Sequence, residues 1–70
     1  MTKLRTIKIN GVLYGCNEKL SLTNLLEYLG FNLGVILVDY NGTIIHRSLW
    51  AKILIDDHDA IEILTLAGGG

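Results

Sequence analysis

The chain is 70 residues long, half of them hydrophobic and 19% charged, with six basic residues against seven acidic ones for a net charge of −1. That is room for one small domain with an efficient core, not for two, and it is not the polar, charge-rich profile of a disordered segment. One cysteine and no proline exclude an internally disulfide-stapled scaffold and point to a reducing compartment, while scattered cations and short apolar runs leave neither nucleic acid nor a membrane as an expected partner.

Arg5, Ile7 and Ile9 alternate with Thr6 and Lys8, the period of a strand whose two isoleucines share a face. Asn10-Gly11 then marks a tight hairpin, because both central residues of such a turn need positive φ, and Val12-Leu13-Tyr14 is the returning strand. Leu22, Leu25, Leu26 and Leu29 fall at i, i+3, i+4 and i+7 and predict a helix. Ser21 stands as its N-cap, Leu20 and Leu25 as the two halves of a hydrophobic staple, and Gly30 as the residue that closes it in the left-handed region. Val35 to Tyr40 is a β-branched strand, Asn41-Gly42 a second hairpin turn, and Thr43-Ile44-Ile45 the strand leading away. His46 to Ala51 lacks alternation and suits a short helical turn under the core. Asp56 to Asp59 is a polar turn, and Ala60 to Leu66 the final strand.

The order β-β-α-β-β-β, with two hairpins around one helix, predicts an α+β fold. Hairpins give antiparallel pairs, and the helix permits a parallel crossover. The arrangement is the β-grasp, or ubiquitin-like, architecture: a mixed sheet of four to five strands packed on one helix. Residues 1–67 form the single domain, and residues 68–70 a flexible glycine tail.

A domain this small has little room for a walled substrate cleft, so function is expected on a surface or a terminus rather than in an enzyme's active site. Gly68, Gly69 and Gly70 follow the last strand almost directly. Glycine lets a backbone enter a narrow slot and approach another group closely. The chemistry available there is that of the α-carboxylate of Gly70, ionised at neutral pH. It can attack the α-phosphate of ATP, giving an acyl-adenylate from which a sulfur nucleophile displaces AMP, and no catalytic side chain is needed.

Taken together, Ile7-Lys8-Ile9-Asn10-Gly11, the Ser21 to Leu29 helix, Arg47-Ser48-Leu49-Trp50-Ala51, the run from Asp57 to Ile63 and the terminal Ala67-Gly68-Gly69-Gly70 resemble the ThiS family, the sulfur carriers of thiamine thiazole synthesis. The resemblance spans nearly the whole chain, and Arg-x-x-Trp-Ala after an Asn-Gly hairpin is its most specific part. It implies that Gly70 is adenylated by an enzyme resembling ubiquitin-activating enzymes (ThiF type), with Gly68 and Gly69 entering the partner's active site. It implies further that sulfur from cysteine, usually by way of a cysteine desulfurase, makes the thiocarboxylate, and that a thiazole synthase (ThiG type) consumes it. No cofactor is bound by the carrier; ATP is used by the activating partner. The compartment implied is a bacterial cytoplasm or a plastid stroma. Family members usually carry glycine where this chain has His58, and Cys16 is outside the family pattern. Carriers for molybdopterin synthesis or tRNA thiolation, and protein modifiers that form amides with lysine, share the glycine tail and stand as alternatives.

The partner surface follows from strand parity. With Ile61 and Ile63 turned to the helix, Leu64 and Leu66 point to the open face of the sheet, and Leu37 stands outward beside Asp39 on the third strand. Leu37, Leu64 and Leu66 are therefore the expected interface. Cys16, with no base beside it in sequence, reads as a small buried hydrophobe. His46, His58 and the aspartates around them match no metal-ligand spacing. Trp50 is expected to plug one end of the core.

Overall fold

Two Asn-Gly turns set the strand registers of this protein, whose computed structural model describes residues 4–66. Asn10 (φ 50°) with Gly11 (φ 82°), and Asn41 (φ 53°) with Gly42 (φ 91°), place both central turn residues at positive φ, the twist that matches a hairpin's strands. The first turn joins β1 (Arg5–Ile9) to β2 (Val12–Cys16), with Ile9 opposite Val12. The second joins β3 (Ile36–Tyr40) to β4 (Thr43–Ile44), with Tyr40 opposite Thr43. The last strand, β5 (Ala60–Thr65), enters between the hairpins, parallel to β1 and antiparallel to β3. The five strands run in the order β2-β1-β5-β3-β4, so the mixed sheet expected from the element order is present. Val35, expected to begin the third strand, instead ends a 3-10 turn over Leu33–Val35.

One helix, α1 (Leu22–Tyr28), covers one face of the sheet. Ser21 caps it, its hydroxyl accepting from the Asn24 N–H at 3.1 Å. At the other end Gly30 (φ 85°) donates to the Glu27 carbonyl and Phe31 to that of Leu26, a Schellman closure. Leu22, Leu25 and Leu26 are buried against Ile7 and Ile9 of β1, Ile36 and Val38 of β3, and Ile61 and Ile63 of β5. Trp50, 3% exposed, closes the core from a 3-10 helix over Arg47–Lys52. Ile55 joins this core unannounced by any periodicity. It is carried there by a short bridge in which Leu22 N–H donates to Ile53 and Ile55 N–H to Leu20.

The two turn asparagines also fasten β5. Asn10 exchanges two hydrogen bonds with the Ile63 backbone, and Asn41 accepts from the Ala60 N–H at 2.7 Å. Asp59, 7% exposed, is the hub of the second attachment. Its carboxylate accepts from the Tyr40 hydroxyl, Asn41 Nδ2 and the Asp56 N–H. Burial, and next the hydrogen bond to Asp59 with the charges of Asp59 and Asp56, push the Tyr40 phenol from 10.0 up to about 12. The fold therefore favours the protonated phenol. The resulting stability is present in full below pH 10 and is lost as pH rises from there toward 12. Unfolding free energies measured from pH 9 to 12 are expected to fall across that window in the wild type. A Tyr40→Phe variant should fall less; an equal fall would place the effect elsewhere.

His58 sits at φ 67° in the turn before β5, its N–H donating to the Thr6 carbonyl. A side chain there carries the left-handed penalty of about 1–2 kcal/mol. The ring is 85% exposed and touches Asp57 at 3.4 Å, a surface pair of little worth. His58→Gly is therefore expected to stabilise the domain by about 0.5–1 kcal/mol, read as a higher urea midpoint at unchanged slope; a lower midpoint would refute the strain argument.

Candidate functional site

The described chain ends at Leu66, where its N–H donates to the Val35 carbonyl at 2.7 Å and holds the end of β5 beside β3. Ala67 and the tail residues Gly68, Gly69 and Gly70 lie outside the described residues. The expected interface residues gather at this exit. Leu37 and Leu64 are directly opposed across β3 and β5 and are both exposed, and Leu66 follows two residues later. Leu66 and Leu37 border a groove of about 420 Å³, together with Ile44, His46, Arg47 and Trp50.

Local structure explains each wall of that groove. Trp50 Nε1–H donates to the Ile45 carbonyl at 3.0 Å, which pins the segment after β4 over the core. His46 caps the 3-10 helix, its Nδ1 accepting from the Ser48 N–H at 3.2 Å. The Ser48 hydroxyl lies 2.9 Å from the same nitrogen. That pair could pass for nucleophile and base, but the nitrogen a base would use already accepts a hydrogen bond from the Ser48 backbone N–H, so it closes a helical turn. Arg47 carries the groove's cation. The exit thus offers apolar contact and charge, the means of binding another surface.

A second groove, of about 550 Å³, runs between β2 and α1 past Cys16, Glu18, Asn24 and Tyr28. Cys16, expected in the core, is only half-buried and donates to the Glu18 carbonyl at 3.3 Å. It ends β2, the edge strand of the sheet, where the groove between β2 and α1 leaves it partly open. Among the described residues no three His, Cys, Asp or Glu side chains converge as a metal-binding group, and no helix is long and apolar enough to cross a membrane.

Ile44 was not foreseen as part of the exit surface. Its place was countable: a two-residue turn at Asn41-Gly42 puts Tyr40 opposite Thr43 and Asp39 opposite Ile44, which sets Ile44 on the face of Asp39.

The chain matches the family model described as the ThiS family over residues 7–70. Among curated proteins it is 41% identical over 73 residues to "Uncharacterized protein ycf40" of Trieres chinensis, covering 100% of both chains. It is 43% identical over 65 residues to the protein of the same name from Porphyra purpurea, covering 93% of this chain and 92% of that one. Among solved structures, the thiamine biosynthesis protein ThiS of Geobacter metallireducens superposes with a TM-score of 0.79 at 29% identity, over 93% of this chain and 99% of that one.

Proposed function

The chain belongs to the ThiS family, and from that premise we propose that it is a sulfur carrier whose Gly70 carboxylate is adenylated and then converted to a thiocarboxylate. The observation that carries the reading is the course of β5. The strand ends at Thr65, and Leu66 follows it beside an exposed apolar surface, four residues before Gly70 in a sequence that closes on three glycines. A strand anchored on both sides sets where the tail starts, and glycines let it follow a narrow channel.

In this reading a partner resembling ubiquitin-activating enzymes binds ATP and aligns it. A carboxylate oxygen of Gly70 bonds to the α-phosphorus and pyrophosphate leaves. A sulfur nucleophile then attacks the acyl carbon and AMP departs. Leu37, Leu64 and Leu66 meet the partner, and Gly68 and Gly69 enter its active site. The carrier is a co-substrate in this scheme and supplies no catalytic side chain. Similarity to a thiamine biosynthesis protein, together with Arg47, Trp50 and Ala51, supports thiazole synthase as the acceptor, in a bacterial cytoplasm or a plastid stroma.

The test is intact-protein mass spectrometry after incubation with ATP, the adenylyltransferase of the same genome and a sulfur source. The expected product is heavier by the exchange of one oxygen for one sulfur and supports thiazole formation when thiazole synthase is added. An unchanged mass with an active partner would refute the carrier reading. A thiocarboxylate that thiazole synthase does not consume would move it to molybdopterin or tRNA thiolation.

A further inference from the structure

The sheet face turned away from α1 carries four exposed apolar side chains near the exit of β5: Leu37 (41%), Ile44 (58%), Leu64 (59%) and Leu66 (44%). The strand register sets two carboxylates among them. Asp39 is directly opposite Glu62 on β5 and opposite Ile44 on β4, two positions along from the Leu37–Leu64 pair. Like charges directly opposed in an antiparallel ladder repel at a Cβ separation of about 4.5–5.5 Å. Asp39 accepts the Gly42 N–H at 2.8 Å; the nearest cation by register is Lys8, opposite Ala60 on the same face and two residues along β5 from Glu62. The free protein thus holds two like charges directly opposed at the border of that apolar surface, with Leu37, Ile44 and Leu64 on one side and Lys8 on the other.

We infer that this face docks a partner presenting an arginine or lysine set in apolar surroundings, its cation seated between Asp39 and Glu62 while Leu37, Ile44 and Leu64 pack around it. The inference rests on the carrier reading and names how the activating enzyme would grip the carrier. The register supplies the complementarity. Two adjacent carboxylates offer enough acceptors for a guanidinium's several donors, and the surrounding leucines exclude the water that would screen the pair. Docking also relieves the repulsion between the carboxylates, so the charges favour the bound state twice. Such charges raise the association rate and make it salt-dependent.

The test measures pyrophosphate release by the adenylyltransferase of the same genome, with ATP, over a series of salt concentrations. The chains compared are the wild type, Glu62→Gln, Glu62→Lys and, as a charge control on the helix, Glu27→Gln. Glu62→Gln is expected to lower kcat/KM about tenfold at low salt with kcat unchanged, and to flatten the salt dependence. Glu62→Lys should lower it further, and Glu27→Gln should match the wild type. The unfolding midpoint of Glu62→Gln should equal or exceed that of the wild type, which separates docking from folding. Wild-type and Glu62→Gln rates that coincide at every salt concentration overturn the inference and leave the carrier reading standing. A wild type that releases no pyrophosphate overturns the carrier reading and the inference with it. A salt-sensitive dimer of the chain alone, lost in Glu62→Gln, would reassign the face to a second copy.

Discussion

Deleting Gly70 is expected to abolish sulfur loading while leaving the fold intact. The buried core runs from Ile7 to Ile63, and the last described backbone bond is that from Leu66 to Val35, so the deletion removes none of the contacts described. It moves the reacting carboxylate back by one residue, about 3.3–3.6 Å. A misplacement of about 1 Å can already cost a hundredfold in a reaction that depends on alignment, and a whole residue is several times that. The truncated chain should show wild-type unfolding and no oxygen-to-sulfur mass change over a time in which the wild type loads completely. Loading at the wild-type rate would move the chemistry away from Gly70 and remove the reason for the glycines.

Asp59→Ala carries the largest expected loss of stability. Its carboxylate satisfies three donors from two separate stretches of chain: the Tyr40 hydroxyl and Asn41 Nδ2 at the second hairpin, and the Asp56 N–H. Alanine leaves them without that acceptor. Tyr40 is half-buried while Asn41 and Asp56 are exposed, so the cost of about 1–3 kcal/mol for a buried unsatisfied group falls mainly on the Tyr40 hydroxyl, and water can reach the other two donors. A loss of about 2 kcal/mol is expected, against a total of about 4–10 kcal/mol for a domain of this length. Urea unfolding at neutral pH is the measurement. Combining Asp59→Ala with Tyr40→Phe should cost less than the sum of the two, since both remove the same bond. A loss under about 1 kcal/mol, or strict additivity, would mean that water replaces the carboxylate and that the network holds nothing together.

Both sites lie at opposite ends of what can be read from one dimension. The glycine tail is local, and its chemistry follows from residue type alone. The Asp59 network joins residues nineteen positions apart, and nothing near Asp59 in sequence distinguishes it from Asp56 and Asp57. All three read as turn residues. The structure buries one of them because β5 passes between the hairpins at that point. Cys16 shows the same limit: a lone cysteine reads as apolar core, but where β2 stops relative to α1 decides how much of it is covered.

The sequence by itself determined the local geometry: two Asn-Gly hairpins, one capped helix, the alternation of β1 and β5, and hence the β-grasp order and the outward placing of Leu37 and Leu64. These depend on φ preferences, cap chemistry and strand parity, all of which act over a few residues. Only the tertiary structure decided which strands became neighbours. That choice put Asp39 across from Glu62, gave Asn10 and Asn41 their second task of tying down β5, buried Asp59 and Ile55, and gathered Ile44, Arg47 and Leu66 around the exit of the tail. Pairings of that kind come from closing the chain around a shared core, and residues far apart in sequence carry no local mark of the partner they will meet.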